Sequence, residues 1–192
     1  EGEGGGEGGE GGGGGGSGGR GGEGGGFKNP SEVASIVLLP LVCSKVDVPI
    51  IAAGGFVDGK SMAAAFALGA EGIQMGTRMV SAKESPVHSN WKETIVHAQE
   101  TDTVFLNKFH SPALRALKTE KTRALEKASD RNIMGEFGDP IKLYFDGDME
   151  AAIPLSGQVA GRIETIESVE KILSNIKKEF FTSLDSLSKT YL

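Results

Sequence analysis

Cysteine, histidine and long apolar runs are all scarce in this chain of 192 residues. Cys43 is the only cysteine, which excludes an intramolecular disulfide and a metal cluster held by thiolates. The three histidines, His88, His97 and His110, are not spaced like the ligands of a metal site. No apolar run approaches the roughly 20 residues of a membrane-spanning helix. We therefore predict neither a bound metal nor a membrane partner.

Strong charge of one sign is also missing. The chain has 20 lysines and arginines against 26 aspartates and glutamates, so its net charge is −6, and both signs are mixed after residue 26. A nucleic-acid partner is not expected, because such partners select basic patches. The chain start shows no basic segment followed by an apolar core, so no secretory signal is visible. These features favour a soluble protein of a reducing compartment, and we predict a cytoplasmic location.

Glycine is abundant at the start of the chain, where 19 of the first 26 residues are glycine and five are glutamate. Glycine loses the most backbone freedom on folding and has no side chain to bury, so such a run cannot offset its ordering entropy. Glycine-rich loops that cradle phosphates occur at a strand-to-helix junction, and no strand is visible before this tract. We predict that residues 1–26 form a disordered segment without regular structure.

The residues after the tract are numerous enough for one domain with a sizeable core. Pro30 begins a predicted helix that runs to about Lys45. A short apolar strand follows at residues 48–53, then an alanine-rich helix at about 60–68 and a second strand at 72–75. Strand, helix and strand joined by short connections require a parallel sheet. The two strands are therefore predicted to be parallel neighbours.

The pattern after residue 85 is mainly helical. Ser85 and Pro86 are typical of a helix start, "DTVFL" could be a short strand, and residues 113–134 and 139–151 look helical. The segment "TIESVEKILSNIKKEFFTSLDSL" predicts a long amphipathic helix. Its predicted buried stripe consists of Ile166, Val169, Leu173, Ile176 and Phe180.

Two glycine-ended strands, "IIAAGG" and "GIQMGTR", indicate where a ligand could bind. In a barrel of alternating strands and helices, a phosphate commonly sits beyond the last two strands, at the start of a short helix. The N–H groups at the start of "TRMVSA" and the Thr77 hydroxyl would donate to it. Spacing alone also allows the other interpretation, in which Gly54, Gly55 and Gly76 are only turn residues.

Three stretches resemble one known family: "EVASIVLLPLV", "VPIIAAGGFVDGKSMAAAFALGAEGIQMGTRMVSAKES" and "SGQVAGRI". Together they are similar to the flavin-dependent nitronate monooxygenases, formerly called 2-nitropropane dioxygenases. The same group includes the FMN-dependent enoyl-acyl-carrier-protein reductases. The resemblance covers roughly residues 32 to 175, and the block from Val48 to Ser85 is its most specific part.

The resemblance implies an α/β fold, namely the C-terminal part of a TIM-type (β/α)8 barrel that binds FMN. Residues 27–85 would be the last barrel strands and helices, and residues 86–150 a helical insertion. Residues 151–192 would return to the barrel and form the C-terminal helix, with residues 157–163 near the flavin. The cofactor-binding residues that the family pattern implies are Gly54, Gly55, Gln74, Met75, Gly76 and Thr77.

Members of the family carry "GGHxG" just before "EVAS", and its histidine is the expected catalytic base. An ungapped alignment places that histidine on Asn29, whereas matching "GGGF" places it on Phe27. Neither residue can take a proton near neutral pH, so no catalytic residue is assigned. Arg78 and Arg162 could bind phosphate or pair with neighbouring acids.

The resemblance implies an oxidoreductase that oxidises a small-molecule substrate, an alkyl nitronate, with oxygen. One alternative is an FMN-dependent enoyl-thioester reductase, in which a nicotinamide cofactor reduces the flavin. Another is a non-catalytic remnant, because the half of the barrel that precedes this region in the family is missing from the chain. We therefore expect a truncated protein of weak or no activity that forms homodimers or aggregates through its open edges.

Overall fold

The computed structural model describes residues 19–20, 22–28, 33–128 and 130–192. These residues form an α/β fold with two three-stranded sheets, one parallel and one antiparallel. The parallel sheet has the order β1 (Gly19–Arg20), β3 (Ile51–Ala53) and β4 (Gly72–Gln74). The antiparallel sheet has the order β2 (Gly26–Lys28), β6 (Ala113–Leu117) and β5 (Thr103–Leu106).

The predicted strand–helix–strand unit is confirmed. Strands β3 and β4 are parallel neighbours, and Ala52 is paired with Ile73. Helix α2 (Gly59–Ala67) connects them, after α1 (Ser35–Cys43) has led into the unit. Helix α2 begins at a capping box in which the Asp58 carboxylate accepts from Ser61 N–H at 2.8 Å. Local capping and the apolar strand pattern agree with the final fold here, which explains the success of the prediction.

The prediction that residues 1–26 lack regular structure is wrong at their C-terminal end. Strand β1 pairs in parallel with β3, Gly26 belongs to β2, and Gly22 and Gly24 are buried. The reason is that backbone groups can be ordered by partners elsewhere in the chain, even where the segment has no side chains of its own to bury. Residues 1–18 and residue 21 lie outside the described residues.

The predicted helical insertion at residues 86–150 is a mixture of helix and strand. Residues 103–106 form the expected strand, but residues 113–117, predicted as helix, form β6. All five residues of β6 are buried between β2 and β5, so tertiary context outweighs the helix propensity of "ALRAL". Helix α5 (Glu120–Lys127) and a five-residue π-helix (Lys142–Asp146) account for part of the remaining prediction.

Two helix boundaries also differ from the predictions. Helix α4 (Ser89–His97) begins at an N-cap formed by His88, whose Nδ1 accepts from Asn90 N–H at 3.1 Å. The predicted cap, Ser85, instead accepts a hydrogen bond from Lys92 Nζ through its carbonyl, at 2.7 Å. The predicted start at Pro30 falls outside the described residues, and α1 is described from Ser35.

The C-terminal helix α6 (Val169–Tyr191) packs on α2. Glu179 Oε2 accepts from Gly59 N–H at 2.9 Å, which ties α6 to the start of α2. The buried residues of α6 are Ile172 and Ile176, whereas Leu173 is 50% exposed. The predicted stripe is confirmed at Ile176, and Val169 and Phe180 are half-buried. Ile172 rather than Leu173 completes the buried face, because Ile172 packs against Ala82. No helix in the described ranges is long and apolar enough to cross a membrane.

Candidate functional site

A cavity of about 260 Å³ lies where β3 and β4 end. From the parallel sheet it is lined by Gly54, Gly55, Gln74, Gly76 and Thr77, which are five of the six residues predicted to bind the cofactor. The carboxyl ends of parallel strands are the usual place for ligands in α/β proteins. Its volume is just below the range for ligand sites, about 300–1,000 Å³. It therefore suits a small ligand or one end of a larger one.

The glycine pair after β3 is required by its backbone conformation. Gly54 has a φ of +92° and Gly55 a φ of +84°, values at which a residue with a Cβ is strained. The Gly54 carbonyl accepts from Ser35 Oγ at 3.2 Å, which fixes this loop against the start of α1. These two glycines would be needed for the turn even without a ligand.

Gly76 is different, because nothing in the fold requires glycine there. Its φ is −89°, and a Cβ built on it would meet no atom of the described residues within 4 Å. Gly76 lies in the cavity lining and is the N-cap of α3 (Thr77–Val80). N–H groups in the first turn of a helix have no acceptor within the helix. The space beside Gly76 is thus open to a group that needs to approach the backbone closely.

Thr77 joins the two sides of the cavity. Its side chain is buried, and Oγ1 accepts from Gly157 N–H at 2.9 Å. The hydroxyl proton is left to donate, because a threonine hydroxyl is both donor and acceptor. Thr77 therefore places a hydroxyl at the cavity, and its role in holding an anion stays a prediction.

Met75 is the predicted cofactor residue that the structure does not bring to the cavity. Its side chain packs against Ala82, Ile172 and Ile176. Consecutive side chains around a strand point to opposite faces, so Gln74 and Met75 face different surroundings. The family pattern groups these residues by sequence, whereas the geometry separates them.

The second side of the cavity was not among the predicted site residues. It consists of Gly24, Gly25, Gly26, Leu155, Gly157 and Val159. The backbones come very close here, since a Cβ on Gly25 would lie 2.7 Å from the Ser156 carbonyl carbon. The alignment that matches "GGGF" to the family motif "GGHxG" could have indicated this wall, because it places the two glycines of that motif on Gly25 and Gly26. Gly157 and Val159 of this wall belong to residues 157–163, for which a place near the flavin stays a prediction.

A proton-transferring side chain is missing from the described lining of the cavity. Phe27, the family histidine position in one register, lies in β2 with its ring centroid 5.9 Å from that of Phe137. Asn29, the position in the other register, lies outside the described residues. His88 caps α4, and His97 Nδ1 lies 2.8 Å from the Glu93 carbonyl oxygen. His110 Nε2 is buried without a hydrogen-bond partner among the described residues.

Both arginines considered for phosphate binding are paired with acids. Arg78 is buried and donates to Glu167 at 2.8 Å and to the Thr165 carbonyl at 2.9 Å. Burial lowers the pKa of the Arg78 guanidinium, and the nearby Glu167 carboxylate opposes that shift. Arg162 forms an ion pair with Asp58 at the start of α2. In the part of the chain that the structure describes, there is also no cluster of side chains that could hold a metal ion.

Several known proteins are similar to this chain in sequence, and some solved structures are similar to it in fold. The family model described as nitronate monooxygenase matches residues 9–179. A probable nitronate monooxygenase of Staphylococcus aureus (strain NCTC 8325 / PS 47) is 33% identical over 153 residues, which are 75% of this chain and 42% of that protein.

Solved structures extend the comparison to three dimensions. FabK from Thermotoga maritima has a TM-score of 0.83 and 40% sequence identity, covering 90% of this chain and 56% of that chain. Nitroalkane oxidase from Streptomyces ansochromogenes shares the fold, with a TM-score of 0.75, 22% identity, and coverage of 88% and 53%. The chain thus spans about half the length of the proteins that it matches. As its sequence motifs predict, it belongs to the nitronate monooxygenase family.

Proposed function

We propose that the chain forms the C-terminal part of a (β/α)8 barrel and binds FMN in the cavity beyond β3 and β4. The observation that carries this proposal is the open space at Gly76, where a Cβ would meet no atom within 4 Å in the part of the chain that the structure describes. Neither packing nor a positive φ requires glycine at this position. A phosphate that approaches the backbone at the start of α3 explains the glycine. The family model and the similarity to FabK support the same cofactor.

The residues around this space suit a phosphate group. Gly55 and Gly76 line the cavity, and Thr77 contributes a hydroxyl whose proton can be donated. The partial positive charge of a helix start favours an anion there. FMN, when bound, supplies the redox chemistry, while the protein binds and orients it. Gly55, Gly76 and Thr77 would hold the phosphate, and Gln74 and the second wall would enclose the rest of the site.

The cofactor assignment is tested by comparing FMN with riboflavin, which lacks the phosphate. Gly76→Val would fill the open space without straining the fold, so FMN affinity should fall about tenfold or more. Riboflavin affinity should change little. Flavin fluorescence titration measures both.

Gly135→Val is the matched control for this experiment. A Cβ on Gly135 also meets no atom within 4 Å, and Gly135 lies outside the cavity lining. This variant should bind FMN like the unmodified chain. Equal FMN affinity in Gly76→Val and the unmodified chain would show that the phosphate does not bind beside Gly76.

For the reaction, we propose the oxidation of alkyl nitronates with oxygen. The description of the Staphylococcus aureus relative supports this substrate class. The described cavity lining contains no histidine or other proton acceptor suited to neutral pH, so we propose that turnover by this chain is weak. Oxygen consumption with an alkyl nitronate is the direct assay.

The second candidate is the enoyl-thioester reductase branch of the same family. The 40% identity to FabK favours it. In that case a nicotinamide cofactor should reduce the bound flavin, which is visible as loss of flavin absorbance without oxygen. Flavin reduction by nicotinamide together with no response to nitronates would select this branch, and the reverse result would select the first. A flavin-binding chain that does neither would be a non-catalytic remnant.

A further inference from the structure

Strand β6 lies behind both parts of the second cavity wall. On one side Arg115 is the antiparallel partner of Gly26 in β2. On the other side the Arg115 carbonyl accepts from Ser156 N–H at 3.3 Å, and Ala116 forms an isolated bridge with Leu155. The backbone of Arg115 is therefore bonded to Ser156, which precedes Gly157, and is paired with Gly26.

The Arg115 side chain also contacts Gly22, which lies two residues before the wall residue Gly24. Arg115 is only 8% exposed, and its Nε donates to the Gly22 carbonyl at 2.9 Å. Another guanidinium nitrogen donates to Thr103 Oγ1 at 3.1 Å, and the guanidinium lies 5.3 Å from the Phe105 ring centroid. A buried guanidinium is held in one orientation by such contacts. Lys28 Nζ adds a bond to the same Gly22 carbonyl, at 3.1 Å.

The segment at residues 22–26, here called the glycine strap, needs such partners. Four of its five residues are glycine, which has high backbone entropy in the unfolded chain and no side chain to anchor it. Other chain segments hold it in place. The Glu23 carbonyl accepts from Gln158 N–H at 2.9 Å, and the Glu23 side-chain carboxylate accepts from Ser35 N–H at 3.0 Å. Arg115 supplies the buried cation among these anchors.

We propose that Arg115 is a positioning residue that holds the glycine strap as a wall of the ligand cavity. It does not line the cavity itself, whereas Gly24, Gly25 and Gly26 do. Its effect on a ligand is transmitted through the Gly22 carbonyl and the pairing with Gly26. The inference rests on the proposed function for the identity of the ligand, FMN, but not for the order of the strap.

The test compares Arg115→Met, Arg115→Lys and the control Arg123→Met in the full chain. Arg123 lies on the exposed side of α5 and lines no part of this cavity. Hydrogen exchange of peptides covering residues 22–26 reports the order of the strap without any flavin. Fluorescence titration with FMN reports the ligand site. Peptides covering α2 and β3 report whether the rest of the fold is intact.

We expect Arg115→Met to accelerate exchange in the strap while α2 and β3 stay protected, and to weaken FMN binding about tenfold or more. Arg115→Lys should restore part of both, because lysine keeps the charge without the planar fork. Arg123→Met should change neither. Unaltered strap exchange, or unaltered FMN affinity with a faster-exchanging strap, would overturn the inference. An unmodified chain that bound no FMN would overturn the proposed function instead, and strap exchange would then decide the role of Arg115.

Discussion

At the scale of single residues, the ring at position 27 stands where one register of the family motif has a histidine. Phe27 follows the cavity residue Gly26 directly along β2. A histidine at this position would bring a general base next to the wall of the site. We expect flavin-loaded Phe27→His to oxidise alkyl nitronates up to about 100-fold faster than the unmodified chain. Oxygen consumption measures the rate.

Two further variants separate the contribution of the base from other effects. Phe27→Leu removes the ring without adding a base, so it should show no gain. Asn29→His tests the ungapped register, and a gain there instead would move the base by two residues. If neither histidine variant exceeds Phe27→Leu, proton abstraction does not limit turnover in this chain.

At single residues, sequence reasoning placed the end of a strand correctly where the backbone conformation selects the residue type. Gly54 and Gly55 were recognisable because a strand end with positive φ requires glycine. Met75 was included because a family motif does not show which side chains face a ligand, although strand alternation separates it from Gln74. Gly25 lies in a tract of near-identical residues, where its close contact with Ser156 has no local signature, so only the register that matches "GGGF" could mark it.

At the scale of elements, a charged cluster secures the entry to α6. Glu167 contacts Arg78 Nη2 and Lys171 Nζ, each at 2.8 Å. The hydrogen bond from Lys171 is the main cause that lowers the pKa of Glu167, and attraction from Lys171 and Arg78 adds to it against the effect of burial. A carboxylate with a lowered pKa stabilises the fold fully above its ordinary pKa of 4.5 and loses that effect as the pH falls through the folded-state value.

Glu167→Gln should therefore lower the free energy of unfolding by about 1–3 kcal/mol at pH 7, because the buried Arg78 loses its charged partner. The difference from the unmodified chain should shrink as the pH falls below 4.5, since protonation then neutralises Glu167 itself. Urea unfolding at both pH values measures this change. Glu164→Gln, at an exposed position, is the control and should have little effect. A difference that does not depend on pH would rule out the charge as its cause.

Elements with consistent local signals were predicted well, and those that depend on distant partners were not. The unit β3–α2–β4 combines apolar strands, a capped helix and glycine ends. Strand β6 consists of good helix formers and becomes a strand because β2 and β5 flank it. The partner strand β2 begins at the end of the glycine tract. Because the tract was predicted to lack regular structure, the antiparallel sheet that contains β2 and β6 was not predicted either.

At the scale of the whole molecule, the glycine tract connects the two sheets at the cavity. Strand β1 extends the parallel sheet, and β2 extends the antiparallel sheet. The intervening residues 24 and 25 line the cavity between them. The end of the tract is thus part of the site, and glycine is suited to it because the backbones of Gly25 and Gly157 approach other chain segments closely.

The described surface also carries exposed apolar side chains on α1 and on α6, here called the two flanks. On α1 Ile36 is 68% and Val37 is 59% exposed, and on α6 Leu187 is 53% exposed. Among the described strands, β1 and β4 form the two edges of the parallel sheet, and open edges and apolar patches favour association. We predict that the isolated 192-residue chain self-associates as its concentration rises, which light scattering coupled to size-exclusion chromatography measures.

Variants can identify the surface that drives this association. Replacing Ile36 and Val37 together by lysine places two charges on the α1 flank, so the mean mass should fall toward that of a monomer. Ile141→Lys is the control, because Ile141 is 66% exposed but lies just before the π-helix and belongs to neither α1 nor α6. If both variants reduce the mass equally, general charge repulsion explains the effect. If the unmodified chain is monomeric at every concentration, the flanks are compatible with water, and a partner is not needed to cover them.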